Sequence, residues 1–97
     1  MSVHLEPELL RIVQDILKKH TAIHSVVAFG SRVTGKHKPH SDLDLCIMSE
    51  APLTLSQLAK LREDFSESDL PIRVDIVDWP TLTPEFQKII QKNMVEL

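Results

Sequence analysis

Apolar residues recur at three- and four-residue spacing between Pro7 and Lys19, at Leu9, Leu10, Val13, Ile16 and Leu17, and this spacing predicts an amphipathic helix. Pro7 suits its first turn, and Lys18 and Lys19 suit the negative end of its dipole. Ser25 to Phe29 is a short apolar run that predicts a buried strand, stopped by Gly30. Ser31 to Thr34 predicts a brief helical turn before Gly35, and Lys36 to Ser41 a polar loop with one Pro and two His. Leu43 to Met48 predicts a second strand. Thr54-Leu55-Ser56-Gln57 is a capping-box pattern, opening a helix to about Phe65 with Leu55, Leu58, Ala59, Leu61 and Phe65 as its apolar residues. Ser66 to Pro71 is a loop, Ile72 to Val77 a third strand, and Thr83-Pro84 caps a last helix running to about Met94. The order is helix, strand, strand, helix, strand, helix. It predicts a single α/β domain over residues 1–97, built as a small mixed β-sheet with helices packed on it.

Composition narrows the function classes. A chain of 97 residues has room for one core, burying roughly 60–70% of the surface its unfolded form exposes. With 42% hydrophobic and 26% charged residues it has the balance of a folded domain, not of a disordered one. A net charge of −3 gives no general attraction to nucleic acid or to an anionic membrane, so no direct nucleic-acid binding is expected. A nucleotide site must then depend on local cationic groups and metal ions. No leader pattern opens the sequence and no apolar window spans a bilayer. The single cysteine, Cys46, has no partner for an intramolecular disulfide. The expected compartment is the cytoplasm, where nucleoside triphosphates and magnesium are available.

The informative stretch is Gly30-Ser31, ten residues, then Asp42-Leu43-Asp44. Gly30 and Ser31 leave a buried strand and enter a helical turn, where backbone N–H groups have no intrahelical acceptor. Such a corner attracts phosphate, and glycine lets backbone and ligand approach closely; as a bare dipeptide it is equally an ordinary turn. On a strand, Asp42 and Asp44 project to one side while Leu43, Leu45 and Ile47 project to the other. Two carboxylates so close repel, and a divalent cation removes the penalty. Magnesium, held by a few carboxylates plus phosphate and water, suits this arrangement, although Asp-x-Asp alone also fits two solvated side chains.

Asp75 strengthens the metal reading. It shares a strand face with Arg73 and Val77, opposite Ile72, Val74 and Ile76. Aspartate is unfavourable within a strand, so it needs either a partner such as Arg73 or Arg62, or a place in a cluster with Asp42 and Asp44. Asp78 is the competing acid, but it precedes Trp79-Pro80 and has the character of a turn residue, so Asp75 is preferred.

Taken together, Ala28-Phe29-Gly30-Ser31-Arg32, Ser41-Asp42-Leu43-Asp44-Leu45 and Val74-Asp75-Ile76-Val77-Asp78-Trp79 resemble the signature of the DNA polymerase β nucleotidyltransferase superfamily, and most closely its minimal group, the MNT proteins. The resemblance covers essentially the whole chain and implies the polymerase β-like fold. It implies that Asp42 and Asp44 ligate two Mg2+ ions, that Asp75 ligates one of them and activates the attacking hydroxyl, and that Gly30 and Ser31 hold the β- and γ-phosphates of ATP. Two ions roughly 3.5–4 Å apart would stabilise the attacking and leaving oxygens of an in-line displacement at the α-phosphorus. MNT proteins are typically encoded beside an all-helical HEPN protein, a toxic ribonuclease, and act as its antitoxin by adenylylating a tyrosine hydroxyl. The resemblance therefore implies a hetero-oligomeric complex with a HEPN-type protein, and the length is expected to leave no room for a second, acceptor-binding domain. Two other outcomes stay open: steric masking of a helical partner without catalysis, and transfer to a small molecule, which the short length disfavours.

Other residues enter more weakly. Arg32, Lys36 and Lys38 lie between the halves of the motif and are candidates for neutralising a triphosphate, Arg32 first because it adjoins the phosphate corner, with a solvated basic loop as the alternative. His4, His20, His24, His37 and His40 show no zinc-site spacing, although His37 and His40 sit in the motif loop. Cys46 falls on the Asp42/Asp44 side of its strand and is expected to be a small buried hydrophobe, and Trp79 to pack at a core edge.

Overall fold

The computed structural model describes residues 2–97; Met1, the first residue of the domain expected over 1–97, lies outside them. Helix α1 (Pro7–Lys18) begins on Pro7, with Glu8 in its first turn and Lys18 in its last, each matched to the local end of the helix dipole. Strand β1 (Val26–Phe29) leads into the one-turn helix α2 (Ser31–Thr34), closed by Gly35 in the left-handed region. Strand β2 (Leu43–Ile47) is followed by α3 (Leu55–Ser66). The capping box is formed: the Gln57 N–H donates to Thr54 Oγ1 at 3.0 Å and the Thr54 N–H to Gln57 Oε1 at 2.9 Å. Strand β3 (Val74–Asp78) ends in a single 3-10 turn over Trp79–Thr81, and α4 (Pro84–Lys92) is capped by the Thr83 hydroxyl.

The sheet is mixed, in the order β3-β2-β1-β4, with β2 and β3 parallel and the other pairs antiparallel. Its fourth strand, β4 (Val95–Glu96), was not expected. The last helix stops at Lys92, short of the predicted Met94, and the chain turns back so that Val95 pairs with Ala28 and the Leu97 N–H reaches the Val26 carbonyl at 3.0 Å. Two residues carry no readable strand pattern; only an available edge of β1 makes them one.

Alternation gives the sheet two unlike faces. Val26, Ala28, Leu43, Leu45, Ile47 and Ile76 project to one, where Val13, Ile16 and Leu17 of α1 and Leu61 and Phe65 of α3 complete the main core. A bond of 2.8 Å between His20 Nε2 and Asp64 ties the end of α1 to α3 and draws the Asp64 carboxyl below its usual range. The opposite face is shared. A smaller core of Val27, Cys46 and Ile90, edged by Phe29, Val77, Trp79 and Leu82, lies under α4. The remainder of that face is left to acidic side chains.

Candidate active site

Strand register brings the acids together. Asp44 and Asp75 are direct partners across the parallel β2–β3 pair, and Phe29 is the partner of Asp44 across the antiparallel β1–β2 pair. Cross-strand partners share a face, so Phe29, Asp44 and Asp75 form one row, with Asp42 two residues before Asp44 on the same side. None of the three carboxylates has a cationic side chain within ion-pair distance among the described residues. The structural partners considered for Asp75 are otherwise placed: Arg62 donates to the Ile76 carbonyl at 3.3 Å, and Arg73 is exposed.

This proximity has an electrostatic consequence. Burial, then Asp75, then Asp42 push the Asp44 carboxyl from its ordinary 3.8 up to about 6. Asp75 itself is exposed, while Asp42 and Asp44 are half-buried. Among the described residues, no three His, Cys, Asp or Glu side chains are grouped closely enough to hold a metal ion. The donor set is all carboxylate oxygen, which suits a hard cation that keeps part of its water.

Gly30 closes the other side of the site. It sits at φ 79°, ψ −156°, a region open essentially to glycine alone. A β-carbon there would collide with the Asp44 carboxylate oxygen. The missing side chain is therefore the space that Asp44 occupies. Helix α2 starts at Ser31, and its first backbone bonds run from the Val33 and Thr34 N–H groups to the Gly30 carbonyl at 3.0 and 3.1 Å. The Ser31 and Arg32 N–H groups precede those bonds, as a phosphate corner requires.

Two acids three residues apart on β3 are separated by alternation. Asp78 pairs with Ile47 on the core face, is 3% exposed, and accepts bonds from Ser49 Oγ at 2.7 Å and the Leu53 N–H at 2.6 Å. It anchors the loop into α3, and Asp75, on the other face, adjoins Asp44.

Arg32 departs from its expected role. Expected to face phosphate, it is 6% exposed and donates to three backbone carbonyls: Ser41 at 3.0 Å, His4 at 3.0 Å and Pro39 at 3.2 Å. A phosphate contact would cost these bonds in a site where replacement by water is restricted. Lys36, Lys38 and His40 are exposed; His37 is half-buried, its ring centroid 5.3 Å from that of His4. Cys46 is fully buried, and burial followed by the nearby Asp78 pushes its thiol up to about 11. At pH 8 it is expected to react with an aromatic disulfide reagent at least roughly a hundredfold more slowly than a free thiol, with full reactivity only in denaturant. Rapid labelling of the folded protein would contradict this burial.

Sequence reading missed the apolar surface next to the acids. Phe86 of α4 meets Phe29 edge-on at 6.0 Å, and Phe86, Ile89 and Met94 are 38%, 62% and 38% exposed. The signal was present as Phe86, Ile89 and Ile90, at the i, i+3, i+4 spacing of one apolar helix face, of which only Ile90 is buried.

The chain resembles known proteins over most of its length. Residues 12–97 match the family model described as polymerase beta, nucleotidyltransferase. The chain is 51% identical over 91 residues to the "probable protein adenylyltransferase MntA" of Haemophilus influenzae, covering 94% of this chain and 80% of that protein. A solved structure described as a minimal nucleotidyltransferase superposes with a TM-score of 0.73 at 30% identity, over 99% of this chain and 100% of that one. A second, a toxin-antitoxin crystallised with AMP-PNP, shares the fold with a TM-score of 0.74 at 18% identity, over 89% and 69% of the two chains. A glycine corner moulded around one aspartate, with a second aspartate in register beside it, thus occurs in a chain that belongs to the polymerase beta nucleotidyltransferase family, as one of its minimal members.

Proposed function

We propose that this protein transfers AMP from ATP to a tyrosine hydroxyl of a helical, HEPN-type partner encoded nearby, and so acts as the antitoxin of a toxin–antitoxin pair. The observation that carries the reading is the Asp44–Asp75 register pair, facing one way and without cationic partners, with Gly30 shaped to admit the Asp44 carboxylate. A steric inhibitor has no use for unpaired acids held against one another. The choice of AMP and of a protein acceptor draws support from the Haemophilus relative named as a protein adenylyltransferase. The antitoxin role draws support from the fold shared with the AMP-PNP-bound toxin-antitoxin.

Asp42, Asp44 and Asp75 would hold two Mg2+ ions, which neutralise the clustered charge and polarise the phosphoryl oxygens. The Gly30-Ser31 corner would bind the β- and γ-phosphates through its backbone N–H groups and the Ser31 hydroxyl. The tyrosine oxygen attacks the α-phosphorus, the bond to the β-phosphate oxygen breaks, and pyrophosphate leaves. Asp75, the exposed member of the cluster, would take the hydroxyl proton. The cytoplasm supplies ATP and magnesium, and no helix among the described residues is long and apolar enough to cross a membrane.

The acceptor must come within reach of Asp75, and the exposed Phe86 adjoins the row of acids through Phe29, with the exposed Ile89 one turn further along α4. They are proposed as the seat of the helical partner in a hetero-oligomeric complex. Incubating the protein with Mg-ATP and the neighbouring gene product should add the mass of AMP to a tyrosine of the partner, seen by peptide mass spectrometry. A stable complex with no added mass would favour steric masking, and AMP on a small molecule would move the acceptor class. Ile89→Asp should weaken the complex by roughly ten- to a hundredfold while leaving ATP affinity within about twofold, because a central apolar contact is replaced by a charge. Unchanged partner affinity, measured by calorimetry, would place the interface elsewhere.

A further inference from the structure

Arg32 is buried to 6% exposure without a carboxylate partner among the described residues. A guanidinium taken out of water needs strong compensation, and here it comes from three carbonyls on two separate segments. Nε and Nη2 hold Ser41 and Pro39 in the motif loop, and Nη1 holds His4. The clasp is reciprocal, since the His4 N–H donates to the Arg32 carbonyl at 2.6 Å. The His4 ring adds a second contact to the loop at His37.

The placement of these bonds decides what they do. Asp42 lies outside β2, beyond the Phe29–Asp44 pair that ends the β1–β2 ladder, so that ladder does not hold it. On one side of Asp42, the Leu43 N–H is fixed to the Arg73 carbonyl at 2.9 Å. On the other side, the Ser41 carbonyl is fixed by Arg32, the residue that follows Ser31. We infer that Arg32 is a positioning residue: it locks Asp42 at a set distance from the Gly30-Ser31 corner and draws residues 3–5 across the motif loop as a strap. A lysine offers donors from a single point and cannot span three carbonyls.

The inference rests on the proposed reading in that Asp42 and the corner must act together, and its test separates the two. Amide hydrogen exchange would be followed on the whole protein carrying Arg32→Lys or Arg32→Gln, with N-methylanthraniloyl-ATP as the nucleotide probe in the absence of magnesium. In both variants the hydrogen-bonded amides of His4, Lys38 and Ser41 should exchange at least about tenfold faster, while those of β1 and residues 44–47 stay within about twofold. Probe affinity should change by less than about threefold, and the rate constant of AMP transfer to the partner should fall at least about tenfold. Wild-type exchange in Arg32→Lys together with lost probe affinity in Arg32→Gln would make Arg32 a phosphate ligand and overturn the inference. A uniform rise in exchange through β1 and β2 would also overturn it, by making the residue a general support of the core. Should the wild-type protein transfer no AMP, the proposed function fails, while exchange and probe binding still decide the role of Arg32.

Discussion

Asp44→Asn should abolish AMP transfer while making the ligand-free protein more stable at neutral pH. On the proposed reading the carboxylate is one of three oxygen donors for the cations that stabilise the transferring phosphoryl group, and losing several kcal/mol of that stabilisation lowers the rate at least roughly a thousandfold. The stability change follows from the same charge. The Asp44 carboxyl is raised from 3.8 to about 6 by burial and by its acidic neighbours, so the folded protein holds this proton more tightly than the unfolded chain does. The resulting stabilisation is fully present below about pH 4, shrinks between pH 4 and 6, and is gone above that. At pH 7.5 the folded state therefore carries a charge that it disfavours. A shift of this size, discounted for screening by water at a half-buried site, corresponds to about 1–2 kcal/mol. The neutral amide should recover this at pH 7.5, raising Tm by roughly 5–10 °C in a domain of this size, and recover almost none at pH 4. Magnesium titrated into the ligand-free proteins should raise the Tm of the wild type and leave Asp44→Asn unchanged. Thermal melts at the two pH values, with and without magnesium, read all of this. An equal or lower Tm for the variant at pH 7.5 would show that the acids do not repel as their register implies.

Gly30→Ala should be the most damaging single change of one methyl group. The backbone at φ 79°, ψ −156° costs an alanine several kcal/mol, and the new carbon would meet the Asp44 carboxylate oxygen. The expected loss is about 3 kcal/mol or more, a fall of well over 10 °C in Tm, together with loss of transfer because Asp44 must move. Combining it with Asp44→Ala separates the two causes. Removing the carboxylate relieves the collision but not the backbone strain, so the double variant should regain about 1 kcal/mol or more relative to the sum of the singles, a coupling that urea titration can measure. Strict additivity would mean that the two residues do not touch.

Asp44→Asn also bears on the choice between catalysis and masking. If the partner is silenced by a covalent AMP, the variant should still bind it and no longer silence it. Full neutralisation by the variant would transfer the function to the apolar surface of α4. The α4 surface and the acidic cluster use different side chains, so Ile89→Asp and Asp44→Asn should have opposite signatures: one loses the complex and keeps the nucleotide, the other keeps the complex and loses the chemistry.

The pattern of apolar and polar residues determined every element in which local preference and burial agree. The α1 stripe, the Thr54 capping box and the alternation of β2 were legible because each is a short-range property of the backbone. Local alternation also dictated that Asp42 and Asp44 share a face. Alternation alone did not select the later acid; Asp75 was preferred because Asp78 precedes Trp79-Pro80 and reads as a turn residue. Asp75 stands beside Asp44 because β2 and β3 pair in parallel in one particular register, and register comes from packing between segments far apart in sequence. The same alternation, once the register was set, sent Asp78 to the core face. Arg32 misled for a related reason: its neighbours in sequence are the phosphate corner, but its partners are carbonyls that only the folded loop and residues 3–5 bring within 3.2 Å. β4 is a strand solely because β1 had an open edge beside it. Chemistry-bearing residue types were thus decided in one dimension, and their mutual distances, on which the site's electrostatics depend, in three.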